Sequence, residues 1–276
     1  MIVSKLRLRS RLFPFAALLL ASAGPSLAQF TCPAPEPLRF EVQRKIERSE
    51  TGFTQGLEYR NGVLFEGTGS LGGSTRLNLI DPHTGAVRRL TDVGTAVFGE
   101  GVTILKGQLF QLTWQDRKVF VRDLQGSLVR EMRNEREGWG LANDGTDLIF
   151  SDGSNSLFIA DPQTFATKRT IPVRSAVPAQ IRGINELEFV GGKVYANLWG
   201  DWTIIRVDLA TGCIDAFSDL SFLQGQMSER ERAEIAKDPN NNVLNGIAHH
   251  AAADLFFVTG KRWATIYAGR FRRMSP

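Results

Sequence analysis

Short runs in which apolar and polar side chains alternate recur along most of this chain, and they end at turns carrying glycine, proline or aspartate. Leu38-Arg39-Phe40-Glu41-Val42-Gln43 is the plainest of them. A period of two sends alternate side chains to opposite faces of a strand. Strands of about four to eight residues with regularly spaced turn signals predict an all-β chain.

A longer period lies over the short one. Gln55-Gly56-Leu57, Glu100-Gly101-Val102, Trp139-Gly140-Leu141, Glu186-Leu187-Glu188 and Asn245-Gly246-Ile247 each open a strand-like run, at intervals of 45, 39, 47 and 59 residues. After each phrase come a turn and a second strand: Gly62-Val63-Leu64-Phe65, Gly107-Gln108-Leu109-Phe110, Gly145-Thr146-Asp147-Leu148, Gly192-Lys193-Val194-Tyr195 and Ala253-Asp254-Leu255-Phe256. A third strand usually ends in an aspartate turn, as at Asp81-Pro82-His83-Thr84-Gly85, Asp161-Pro162-Gln163-Thr164 and Asp208-Leu209-Ala210-Thr211-Gly212. Proline and glycine set turn backbones there, and aspartate bonds its own main chain. A more polar fourth strand leads to the next phrase. A repeat of roughly 40–50 residues suits a four-stranded blade, so the expected fold is a five-bladed β-propeller with a short helical insertion. The five leading residues then form a ring around one axis.

The fifth repeat has a third strand near Trp263–Ala268 and almost no chain left for a fourth. Leu38–Gln43 is expected to supply it, covering an edge that would otherwise invite aggregation. The insertion, at about residues 219–243, accounts for the longest interval. Ser228-Glu229-Arg230-Glu231 reads as a capping box opening a charged helix to about Lys237, ended by Asp238-Pro239. A lid over one face and a solvated surface helix both fit this pattern.

Composition changes the picture at the N-terminus. Lys5, Arg7, Arg9 and Arg11, the apolar run Leu12–Ala21 and Ser26-Leu27-Ala28 predict a secretory signal peptide over residues 1–28 rather than a stable membrane span. Without those four positive charges Lys+Arg falls from 33 to 29, equal to the 29 Asp+Glu, and the net charge falls from +4 to 0. The basic balance therefore belongs to the targeting segment and gives no support for nucleic-acid binding. Residues 29–276 are expected to form one domain, exported to the periplasm or secreted. Cys32 and Cys213 can pair in an oxidising compartment or remain free thiols. His83, His249 and His250 have no zinc-ligand spacing.

Candidate chemistry gathers at the ring. Phe53 and Phe98 precede ring positions, Trp139 occupies one, and Trp114 and Trp199 end second strands at corresponding places. Aromatics beside polar ring residues suggest an apolar pocket with convergent polar groups, although blade packing explains any one tryptophan. Glu100 alone among the carboxylates has glycine on both sides, in Phe98-Gly99-Glu100-Gly101. A neighbouring phenylalanine can raise its pKa by desolvation, fitting it to move protons near neutral pH. Asn185-Glu186-Leu187-Glu188 brings further polar groups near the axis. Lys261, followed by Trp263, is either a solvated charge or one aimed inward at developing negative charge.

Phe53-Thr54-Gln55-Gly56-Leu57, Phe98-Gly99-Glu100-Gly101, Leu112-Thr113-Trp114, Gly138-Trp139-Gly140-Leu141, Ser151-Asp152-Gly153-Ser154, Asn185-Glu186-Leu187-Glu188, Ala196-Asn197-Leu198-Trp199, Leu244-Asn245-Gly246-Ile247-Ala248 and Thr259-Gly260-Lys261 follow one another in that order. Together they resemble the plant and bacterial type of glutaminyl-peptide cyclotransferase, or glutaminyl cyclase, a five-bladed propeller. The resemblance runs from about Phe53 to Trp263. It departs at Arg262-Trp263-Ala264, where the family tends to have a Trp-Pro pair, and in the N-terminal arm. It implies conversion of N-terminal glutamine to pyroglutamate with release of ammonia, on peptide or protein substrates. Glu100 would be the proton shuttle, and Asn185 and Lys261 would bind the amide oxygen and its charge. Phe53, Trp114, Trp139 and Trp199 would wall the pocket, with Gln55 adding polar contacts. No cofactor or catalytic metal would be required, though a structural ion in the central channel would be compatible. A monomer without nucleic-acid or stable membrane partners is expected. A calcium-dependent propeller hydrolase or lactonase and a non-catalytic binding propeller stand as alternatives.

Overall fold

A computed structural model describes residues 31–70, 73–177 and 181–274; the expected signal peptide lies outside them. Strand β1 (Glu36–Glu47) precedes a series of antiparallel meanders. Strands β2–β5 (Thr54–Arg60, Val63–Thr68, Thr75–Ile80, Val87–Gly94) form one four-stranded sheet in chain order. Strands β6–β9 (Gly99–Leu105, Gln108–Thr113, Lys118–Arg122, Leu128–Arg133) form a second, and β10–β13 (Leu141–Asn143, Leu148–Ser151, Ser156–Ala160, Thr167–Pro172) a third. The remaining strands are β14–β17 (Ile184–Val190, Lys193–Leu198, Thr203–Asp208, Ile214–Asp219) and β18–β20 (Leu244–His250, Leu255–Gly260, Thr265–Arg273). They join β1 in an eight-stranded sheet ordered β14-β15-β16-β17-β1-β20-β19-β18. Its halves meet only where β1 runs parallel to β17, at Glu36↔Ala216 and Pro37↔Phe217. Along the rest of its length β1 pairs antiparallel with β20, from Leu38↔Arg273 to Glu47↔Thr265. The strand expected around Leu38–Gln43 is thus present, longer than anticipated, and paired with the C-terminal strand.

Burial falls from the first strand of each set to the last. Every residue of β6 is buried, whereas most of β9 and β13 is exposed or half-buried. The first strands pack in a closed circuit, β2 beside β6, then β10, β14, β18 and β2 again. Apolar side chains fill the spaces between neighbouring sheets, as where Leu57, Leu64 and Ile80 meet Phe257, Ile266 and Ala268. The approach at the centre demands glycine. A Cβ on Gly140 would fall 1.9 Å from the Asn185 carbonyl oxygen, and one on Gly101 2.5 Å from Leu141 N.

In the β14 set the glycine of that circuit is replaced by Glu186. Its carboxylate accepts from the backbone N–H groups of Leu57 (3.1 Å) and Ile247 (2.7 Å), tying three first strands together. Ladder registers break between Thr54/Gly56, Gly99/Val102, Ile184/Leu187 and Leu244/Ile247. Gln55, Glu100, Asn185 and Asn245 sit in these bulges, which re-aim a side chain out of the pleat. The residue in step with the other leaders is therefore Asn185, one position before the Glu186 expected from the phrase spacing.

The insertion holds a 3-10 turn (Ser221–Gln226) and α1 (Glu229–Ala236). Half of the capping box forms, with Ser228 Oγ accepting from Glu231 N at 3.1 Å. Glu231 does not reach back to close it. Its buried carboxylate accepts instead from Thr265 N and Oγ1, both at 3.0 Å, fastening the helix to β20. A disulfide joins Cys32 to Cys213, settling the pairing that the sequence left open. Behind β1, Arg48 and Glu66 form a fully buried ion pair at 2.6 Å, completed by hydrogen bonds from Thr54 Oγ1 and Asn78 Nδ2. The described residues from Cys32 onward form one compact unit. Among the described residues no helix is long and apolar enough to cross a membrane.

Candidate active site

One end of the strand circuit opens into a cavity of about 480 Å³. All eight residues singled out for binding or chemistry line it: Glu100, Asn185, Lys261, Phe53, Gln55, Trp114, Trp139 and Trp199. The bulges of β2, β6 and β14 build its floor by turning Gln55, Glu100 and Asn185 the same way. Gln55 Nε2 donates to Glu100 Oε1 at 2.9 Å. Asn245, the leader from β18, stands behind and donates to Gln55 Oε1 (3.3 Å) and the Thr54 carbonyl (3.0 Å). It fixes the Gln55 amide without lining the cavity.

Lys261 follows β19, where its backbone N–H is held by the Val243 carbonyl at 2.9 Å. That turn drives the side chain inward: Lys261 is 4% exposed, and its Nζ lies 5.1 Å from the Phe53 ring centroid. The aromatic side chains form two clusters. Phe53, Phe98 and Trp114 contact edge to face at 6.1 and 5.7 Å, and Trp139 meets Trp199 at 6.4 Å. Trp199 is 48% exposed and forms the outer lip. Trp263, the aromatic expected beside Lys261, lies outside the cavity, wholly buried, stacked on Trp202 and bonded to the Asn242 carbonyl. Its bulk serves the core.

The electrostatics follow from burial. Desolvation pushes the Glu100 carboxyl well above its usual range; nearby Lys261 pulls it down and Glu137 pushes it up further. Desolvation lowers Lys261, and Glu100 opposes that shift. Both groups are therefore driven toward their neutral forms and can exchange protons nearer neutrality than isolated side chains would. Asn185 Oδ1 is buried and accepts no hydrogen bond. An orphaned acceptor in a cavity wall is costly unless a guest supplies the donor. The glycines flanking Glu100 admit neighbouring protein rather than a ligand: a Cβ on Gly99 would strike Thr75 Cγ2 at 2.4 Å.

Several lining residues escaped the sequence reading. Asp238 and Asn241 enter from the insertion and Arg262 from the turn after Lys261. Asp238 had been legible only as a helix stop, and nothing in a polar stretch reveals which way it faces. Glu186 and Glu188 do not reach this cavity. Glu188 opens instead on a second, polar cleft at the other end of the same strands, with Glu58, Arg60, His249 and His250. Among the described residues no group of three or more His, Cys, Asp or Glu is placed to hold a metal ion.

An all-β chain whose aromatic cavity holds one carboxyl of raised pKa beside a buried lysine belongs to a narrow class. Residues 15–271 match the model of a family described as Glutamine cyclotransferase. A glutaminyl-peptide cyclotransferase of Arabidopsis thaliana is 35% identical over 238 residues, covering 85% of this chain and 72% of that protein. The crystal structure of Myxococcus xanthus glutaminyl cyclase superposes with a TM-score of 0.75 at 29% identity, covering 87% of this chain and all of that one. The chain belongs to the glutamine cyclotransferase family.

Proposed function

We propose that this protein is a glutaminyl-peptide cyclotransferase, closing the N-terminal glutamine of peptides or proteins into pyroglutamate and releasing ammonia. The observation that carries the reading is the buried Glu100 carboxyl, raised in pKa and set beside Lys261 and the unpartnered Asn185 amide within one aromatic box. In the reaction the α-amine nitrogen forms a bond to the side-chain amide carbon, and the bond from that carbon to the amide nitrogen then breaks. Glu100 takes a proton from the attacking amine and returns it to the departing nitrogen, which leaves as ammonia. Lys261 and the Asn185 amide stabilise negative charge on the amide oxygen in the tetrahedral intermediate. The orphaned Asn185 Oδ1 can accept from a substrate N–H. Phe53, Trp114, Trp139 and Trp199 hold the curled chain end and exclude water, with Gln55 keeping the Glu100 carboxyl in place. Every atom of the product comes from the substrate, so the chemistry calls for no external nucleophile or group-donating cofactor, and the reading assigns the charge stabilisation to Lys261 and Asn185 rather than to a metal.

The same reading takes the architecture as a five-bladed β-propeller over residues 29–276, each half of the eight-stranded sheet being one blade. Five sets of four strands and the closed circuit of first strands support it. Export is supported by the leader-like residues 1–28 and the disulfide; a monomer acting on peptides, without nucleic-acid partners, belongs to the same reading. A structural ion in the central channel remains compatible with this reading, beside a Glu186 carboxyl that accepts from two backbone amides. The deciding test is ammonia release from a short peptide with N-terminal glutamine, with and without EDTA. Release that survives EDTA is expected. No release from folded protein overturns the assignment, and loss on chelation restored by a metal overturns the metal-free mechanism.

A further inference from the structure

Glu137 lies in the loop between β9 and β10, two residues before Trp139. Its Oε2 accepts from two indoles at once, Trp114 Nε1 at 2.9 Å and Trp139 Nε1 at 3.2 Å, while Oε1 accepts from Gln115 Nε2 at 3.3 Å. The two tryptophans come from different sheets and belong to different aromatic clusters of the cavity lining: Trp114 follows β7, and Trp139 precedes β10. An indole has a single donor and no acceptor, so the group that takes its N–H fixes the orientation of the ring. One carboxylate therefore sets two walls relative to each other. The neighbouring cation does not neutralise it, because Arg136 turns to Asp152 at 3.3 Å and lies over the Phe158 ring at 4.2 Å.

We propose that Glu137 is a positioning residue for the cyclisation, clamping both tryptophan walls at a fixed spacing and placing a second negative charge beside Glu100. This deepens the cyclotransferase reading and rests on it. The groups facing Glu100 are Gln55 from β2, Asn185 from β14, Lys261 after β19 and Glu137 itself. Asp116 is engaged with Phe98 N at 3.1 Å, and Arg262 lies over Phe53 at 5.4 Å. Like charge disfavours ionisation, so Glu137 holds the Glu100 carboxyl up in opposition to Lys261. Removing that charge lets Glu100 ionise at lower pH, and the acid limb of the activity profile moves down with it.

The test compares wild type, Glu137→Gln and Glu137→Ala by the pH profile of kcat/KM for ammonia release, by KM on the plateau, and by the indole N–H signals of Trp114 and Trp139 in NMR. In Glu137→Gln the limb is expected to fall by about half a pH unit or more, with KM within about twofold of wild type, since an amide oxygen can still accept from both indoles. In Glu137→Ala the limb falls as well, both indole signals move together, and KM rises roughly 2–10-fold, the worth of one or two lost hydrogen bonds. A limb that stays in place in both variants overturns the charge effect, and indole signals unmoved in Glu137→Ala overturn the clamp. If wild type releases no ammonia, the cyclotransferase reading fails by itself, and the indole signals still uphold or overturn the clamp.

Discussion

A carboxyl walled off by Phe98, Trp114 and Gln55 resists ionisation, and that resistance suits Glu100 to taking up and returning a proton. Glu100→Gln keeps the shape and can still meet the Gln55 amide, but it cannot carry a proton. Its kcat is expected to fall by about 10²–10⁴-fold with a folded protein and little change in KM. More than about a tenth of wild-type kcat would remove Glu100 from this role, being less than the lower end of that range. Lys261→Met should cost about 10²–10³ in kcat, the scale for one oxyanion donor. Trp199→Ala, at the half-exposed lip, should act on KM. These residues were legible because each falls on a repeat phrase or at the end of a second strand, where a period fixes direction. Glu137, Asp238 and Asn241 were not, because their direction is set by which distant side chain or strand they meet. Glu100 was found through its flanking glycines, which make room for adjoining strands.

At the scale of elements, the bulges and the buried acids hold the arrangement. Glu186 satisfies two backbone amides on two other strands. Glu186→Ala would leave both amides buried and unpaired, at about 1–3 kcal/mol each. Urea unfolding should show that loss, and a midpoint unchanged from wild type would mean the amides find other partners. Arg48→Ala would strand the Glu66 carboxylate at the foot of β1 and should cost about 3–5 kcal/mol. The strand order was readable from turn chemistry, because the aspartate turns form as written: Asp81 Oδ1 accepts from His83 N and Thr84 N, and Asp161 repeats the pattern. The one-residue offset at Asn185 was not. A glycine is the visible marker of the circuit, and in β14 a glutamate fills its place. The half-formed capping box errs for a similar reason, because Thr265, remote in sequence, offers Glu231 two donors where the helix start offers one.

At the scale of the molecule, four buried carboxyls are raised in pKa. Glu100, Glu186 and Glu188 are raised well above 4.5 by burial, and Glu58 is raised to about 7. Each binds a proton more tightly folded than unfolded, so each stabilising contribution is complete below 4.5 and is lost as pH climbs toward its folded value. His249, lowered from 6.5 mainly by burial, works in the opposite direction over part of that window, one group against four. Thermal stability is therefore expected to fall between about pH 5 and 7, the interval that Glu58 spans. Differential scanning calorimetry over this interval should show a shallower fall in Glu58→Gln; a wild-type Tm that rises instead would show that these acids ionise freely in the folded chain. Reducing the Cys32–Cys213 bridge should cost about 2–4 kcal/mol.

The pairing of β1 with β20 also bears on timing. The set that contains β18 and β19 draws its last strand from the opposite end of the chain, so it stays unfinished while synthesis is under way. Contacts this distant in sequence carry the largest loop-closure cost and form slowly. Until β20 meets β1, the β18 set lacks its outer strand and leaves the edge of β20 open to pairing with another chain.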